Sequence, residues 1–289
     1  MYHFLQLVLL GALFGSSAMM FKFLAGELSI YFTVFLRLLV GGLTLMIFCI
    51  YTKTPIIMLK NLHKLAFVTI VNFVIPLVLF CNAGKILDSS IVSILNGMFP
   101  VFTIIFAHFI LNDKISFTGS IGIVLSMLGV CVLNLKNGLH FELNQVLAAI
   151  MIIIATICYA ISTIFTRVQC KDIPPLTNAT AGIVLGAILL SPSTFFENNM
   201  TALLNFKIVL AILYFGIFST AIAYAILFHL IKVRGATFAA NCSFLTPIFG
   251  TIYGMIFMHE QMTQSRVVGG LLILTGLALI LKLYPKFSK

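Results

Sequence analysis

Charged residues interrupt this chain at intervals that leave ten long stretches almost free of them: 5–21, 28–52, 65–84, 89–112, 115–135, 143–166, 173–196, 208–231, 235–259 and 267–281. The second stretch contains one charge, Arg37. Apolar residues run through each stretch without alternating, which predicts helices and argues against a β-barrel. A helix that crosses a bilayer needs about 17–25 apolar residues. The two shortest stretches, 5–21 and 267–281, reach that length by borrowing neighbours such as Phe23 and Leu283. The pattern predicts an all-α integral membrane protein with ten transmembrane helices and short loops.

Composition agrees. The 289 residues are 61% hydrophobic and 8% charged, and no soluble fold hides that much apolar surface. The net charge of +10 would point to nucleic acid in a soluble protein. Here it follows the positive-inside rule, so no nucleic-acid partner is expected. With the N-terminus inside, eleven Lys and Arg fall in inner loops and five in outer ones, Arg37 being uncounted. Both termini are thus expected in the cytoplasm. Only His3 precedes the first apolar run, and no clear small-x-small cleavage site follows, so 5–21 reads as a span and not a signal peptide.

The six cysteines show no CxxC spacing, so neither a disulfide framework nor a metal site is expected. No GxxxxGK[ST] motif occurs and no cofactor is implied. Energy for any transport must then come from solute or ion gradients.

The two halves resemble each other. A shift of 147 positions lays Lys85 on Lys232, Pro100 on Pro247, Phe102 on Phe249, Asp113 on Glu260, Gly122 on Gly269 and Gly129 on Gly276. A shift of 145 matches Ser17 with Ser162, Lys22 with Arg167 and Gly41 with Gly186. This divides the chain into repeats at 1–135 and 144–283, five spans each. An odd number of spans places the second copy upside down, the inverted-repeat plan associated with alternating access.

The segments NGMFPVFTIIF and CSFLTPIFGTIY, each followed by an acidic residue and then a glycine-bearing span, carry a family likeness. Across nearly its whole length the chain resembles the EamA-type carriers of the drug/metabolite transporter superfamily. It departs in the first span, where the usual Trp-Gly is Phe14-Gly15, and Tyr159-Ala160 in the second copy. The resemblance implies a bacterial cytoplasmic (inner) membrane carrier, commonly an exporter of amino acids or other small metabolites, although some relatives import. It also implies fifth and tenth helices outside the transport core, whose glycines then serve a scaffold or a homodimer contact.

Arg37 is the leading site candidate. A charge at mid-membrane costs about 2.5–3.5 kcal/mol on insertion scales. It either binds an anionic group of a solute or gate, or clamps backbone carbonyls. Asn72, Asn96 and Asn241 are polar residues that either line a shared cavity or join helices. Tyr159, Ser162 and Tyr224 offer apolar area with a hydroxyl, suited to an organic solute. Pro100 and Pro247 each remove a backbone hydrogen bond and act as hinges, gates or static kinks. Asp113 and Glu260 are expected near the N-termini of the helices that follow them, where the dipole favours acids, and either cap those helices or serve a gate.

No Asp or Glu lies in a span, which disfavours proton exchange for a cationic drug. One Arg and two separated His, without a carboxylate, do not assemble a catalytic constellation, so an enzyme is not expected. The expected function is a secondary carrier for an amino acid or related solute, with a lipid flippase of the same shape as the alternative.

Overall fold

The structure, a computed structural model, describes residues 2–56, 59–112, 117–133, 142–234 and 242–282. Each charge-free stretch contains helix. The first two spans are α1 (Tyr2–Ala25) and α2 (Ile30–Tyr51). The third combines α3 (Leu62–Val68), a π-helical turn (Thr69–Val74) and α4 (Ile75–Gly84). The fourth is α5 (Ser89–Asn96) and α6 (Phe99–Leu111), and the fifth is α7 (Phe117–Leu133). In the second half come α8 (Leu143–Gln169) and α9 (Pro175–Leu190). The eighth span joins α10 (Phe206–Gly216), a second π-turn (Ile217–Ile222) and α11 (Ala223–Arg234). Last are α12 (Cys242–Met258) and α13 (Gln264–Lys282). Seven spans are long and apolar enough to cross a membrane, and shorter apolar helices cover Phe117–Val132, Leu245–Met258 and Gln264–Leu279.

The packing partners pair each span with its counterpart in the other half, or occur in exchanged couples. α2 lies on α9, α5 on α12 and α7 on α13. The third span packs on the sixth and seventh, and the eighth on the first and second.

Glycine sets the closest approaches. A Cβ on Gly15 would stand 2.8 Å from Phe249 Cβ and 2.9 Å from Gly250 N, so α1 presses on α12. Such contacts replace the hydrophobic drive that lipid does not supply. Gly129 of α7 meets the backbone of Gly269, and Gly276 of α13 meets that of Gly122. These glycines join α7 to α13 within the chain.

The two prolines of the matched segments act differently. Pro100 stands in the first turn of α6, after a break at Gly97 and Met98. Lacking an N–H, it leaves the Asn96 carbonyl without its helical partner, and α5 ends there. Pro247 lies inside α12, which continues through it.

Candidate functional site

Arg37 stands two turns into α2 and is 6% exposed. Its guanidinium carbon lies 5.1 Å from the Phe21 ring centre and 4.1 Å from that of Phe215. The aromatic faces favour the cation. Nε donates to Thr220 Oγ1 at 3.0 Å, and the Thr220 hydroxyl donates to the Phe215 carbonyl at 3.0 Å. That acceptor lies five residues back, at the end of α10 just before the π-turn, so the wider turn presents Thr220 to Arg37. The two terminal amino groups hold no hydrogen bond among the described residues. No ion pair among the described residues includes Arg37.

The phenols of Tyr159 and Tyr224 are within electrostatic reach of Arg37, and the Asn72 side chain lies close to the Tyr224 hydroxyl. All three are half-buried. Asn72 belongs to the first π-turn, so matched turns in the third and eighth spans contribute polar groups to one place. Aromatic rings frame them: Phe80 and Phe99 lie 5.9 and 6.3 Å from Tyr159, and Phe14 lies 5.8 Å from Tyr224. Arg37, Asn72, Tyr159 and Tyr224 thus come together from the second, third, sixth and eighth spans. Ser162 is buried one turn beyond Tyr159. Asn96 is half-buried at the end of α5, and no hydrogen bond ties it to Arg37. Asn241 lies outside the described residues.

A second polar group occupies one end of the bundle. His259 adopts φ 52°, as Asn112 adopts φ 55° at the matched place in the first half. This left-handed turn ends α12, with Glu260 N–H donating to Gly254 O at 3.1 Å. It sends the Glu260 carboxylate back to α5 and not to the helix that follows, contrary to the expectation for this residue. Ser89 donates through its backbone N–H (2.6 Å) and hydroxyl (2.8 Å), Ser90 likewise (3.0 and 2.7 Å), and Lys22 through Nζ (3.0 Å). The free N–H groups and dipole of α5 are thereby satisfied by an acid from the other half. Lys22 also pairs with Asp88 at 2.7 Å, and Asp88 with Arg266.

The profile of the EamA-like transporter family matches residues 3–135 and again 146–282. The chain belongs to this family. This EamA-like transporter is 24% identical over 244 residues to "Uncharacterized transporter YoaV" of Bacillus subtilis (strain 168), covering 84% of each chain. A Buchnera aphidicola subsp. Schizaphis graminum protein named "Uncharacterized transporter" is 28% identical, over 88% of this chain and 85% of the relative. "WAT1-related protein At3g02690, chloroplastic" of Arabidopsis thaliana is 23% identical, over 86% and 62%. A crystal structure with TM-score 0.67 and 14% identity covers 93% of this chain and 95% of its own, which shows the shared fold. The protein is a multi-pass membrane transporter, working in a lipid bilayer on a small-molecule solute.

The ion group of this EamA-like transporter gives a pH prediction. Burial raises the Glu260 carboxyl, but the Ser90 and Ser89 donors and Lys22 outweigh it and hold it below its ordinary 4.5. Burial likewise raises Asp88, and Lys22 and Arg266 overcome it, below 3.8. Depressed carboxyls contribute stability that is fully present above the unfolded values and lost as pH falls through the folded ones. The melting temperature should hold from neutral pH to about pH 5 and drop below about pH 4. Glu260→Gln should flatten that drop; an equally steep fall in the variant would contradict the assignment.

Several members of the Arg37 site had no mark in the sequence. Phe21 and Phe215 are two of 28 phenylalanines. Thr220 adjoins Ser219, the counterpart of Asn72, and that adjacency was the available signal. Ser219 lies 2.8 Å from Ser16 Oγ, which also accepts from Tyr214 at 3.2 Å and donates to Leu13 O at 2.8 Å.

Proposed function

We propose that this chain is a secondary carrier that moves a small metabolite bearing an anionic group across the cytoplasmic membrane, an amino acid or related compound with export the favoured direction. Residues 1–135 and 144–283 act as the two inverted repeats of an alternating-access cycle, with both termini in the cytoplasm. The reading is carried by Arg37: a buried guanidinium held by one nitrogen, its remaining donors without a hydrogen bond and without a carboxylate partner among the described residues. A permanently charged group in low dielectric gains most from an anion that arrives with its own lone pairs. Asn72, Tyr159 and Tyr224 supply neutral polar contacts to the rest of the solute, and the rings around them supply apolar area. The protein itself performs no catalysis in this reading.

A thermal-shift screen tests it. Carboxylate-bearing metabolites should raise the melting temperature, since saturation at about a hundredfold over Kd stabilises by about 2.7 kcal/mol. Quaternary amines should not. A response confined to cations would sink the anion reading.

One observation favours a second reading, the flippase. A groove of about 270 Å³ lies between α2 and α9, lined by Phe35, Leu38, Leu39, Met46, Val184 and Ile188 among others. It is apolar, the surface a lipid tail would use. Lipid scrambling in vesicles containing the protein, without any response to soluble metabolites, would favour it.

A further inference from the structure

We infer that Lys22, Asp88, Glu260 and Arg266 form a latch that shuts one end of the carrier, with the fourth and ninth spans as its jaws. This rests on the carrier reading above. The jaws meet rung by rung. At the end, the Glu260 carboxylate grips Ser89 and Ser90 with four hydrogen bonds. Next, Gly254 makes room for Glu260 and Ser89: a Cβ there would stand 2.5 Å from Glu260 Oε2 and 2.8 Å from Ser89 Oγ. Deeper, Ser93 Oγ presses on Gly250, and a Cβ on Gly97 would reach Pro247 Cγ at 3.2 Å. Beyond it no comparable approach of the two spans occurs among the described residues. Span four breaks at Gly97 and Met98, and α6 packs chiefly on α8, while α5 stays on α12. The jaws are closed at the Glu260 end and diverge beyond the two prolines.

The closed contact carries its own counterweight. Ser93 Oγ is buried with no hydrogen-bond partner among the described residues. A sealed hydroxyl costs free energy that separation of the jaws would return. Charge at the rim favours closure and the orphan hydroxyl favours opening, as a two-state element needs.

The repeat places related residue types at the sequence positions that correspond to this latch. The 147 shift carries Gly254, Gly250 and Pro247 onto Ala107, Thr103 and Pro100, small or kinked positions in the other half of span four. Glu260 maps onto Asp113 and, by the 145 shift, Lys22 onto Arg167. Asp88 and Arg266 map onto Gly235 and Gly119, so two of the four latch positions carry no charge in the other repeat. The richer latch sets the resting state, shut at the Glu260 end, which the charge bias makes the outer end.

Hydrogen exchange by mass spectrometry on the intact protein in lipid nanodiscs, without solute, tests this. Glu260→Gln removes the charge; Gly254→Ala is a wedge that leaves every charge in place. Both should speed exchange over residues 89–96 by about tenfold, the effect of losing a buried hydrogen-bonded contact, and slow it over residues 103–111. Change at both ends in opposite directions is the latch. Faster exchange confined to 89–96 makes Glu260 a static helix cap and overturns the latch, as does no change. Because no solute is present, failure of the ligand screen leaves this result standing, and failure here leaves the Arg37 site standing.

Discussion

Arg37→Met abolishes solute binding and transport while the protein stays folded. Met keeps most of the volume between the Phe21 and Phe215 rings, 5.1 and 4.1 Å from the guanidinium, and removes charge and donors. Truncating one partner of a buried charge pair costs about 2–5 kcal/mol, or roughly 30-fold and upward in Kd. Arg37→Lys should recover only part, because a point charge cannot reproduce the planar fork. Melting temperature separates the two roles open to this residue. As a receptor for an anion, Arg37 is an uncompensated charge in the empty protein, and Met there leaves stability unchanged or raises it. As a clamp, its loss lowers stability. Calorimetric titration with a ligand found by thermal shift, alongside melting curves, reads both. Unchanged Kd with a lowered melting temperature makes Arg37 a clamp and removes it from the site.

Gly129→Ala and Gly276→Ala should destabilise the protein without altering the Arg37 site. A Cβ at Gly129 would stand 2.7 Å from Gly269 O and 2.9 Å from Ile273 N; one at Gly276, 2.5 Å from Gly122 O and 2.9 Å from Ser126 N. The obstructing atoms include backbone, which cannot rotate aside, so α7 and α13 must separate. Overpacking of this kind costs about 1–3 kcal/mol per site. Gly270→Ala is the control on the same helix, since its Cβ would meet only Ile94 Cδ1 at 3.5 Å. Melting temperatures of the three variants decide: similar values for all would mean the helices do not touch as described.

Much of the fold was legible before any coordinates. The bilayer forces every backbone polar group into a helix and every charge to an edge, so charge spacing alone marks where helices run. The residues just before the matched Asp113 and Glu260, Asn112 and His259, both end their helices in the same left-handed turn. The site was legible in part. Arg37 announced itself as a lone charge within a span, and Asn72 as a polar residue matched by Ser219. The phenylalanines around Arg37 did not, because one apolar residue in a span looks like any other. Nor did the π-turns: Pro76 follows the first, but Ala223 occupies the start of α11 after the second.

The amino-acid order by itself determined the number of spans, their division into two repeats and the single buried cation. Those features depend on local hydrophobicity and on similarity along the chain, which need no partner to be read. Only the tertiary structure decided that Glu260 closes on α5 of the other half, that Thr220 holds Arg37 through a widened turn, and that the glycines of α7 and α13 face each other. These are contacts between residues far apart in the chain, some more than 170 positions distant. Helix packing selects them by close fit and charge pairing, and no periodicity in one segment records what another will bring to it.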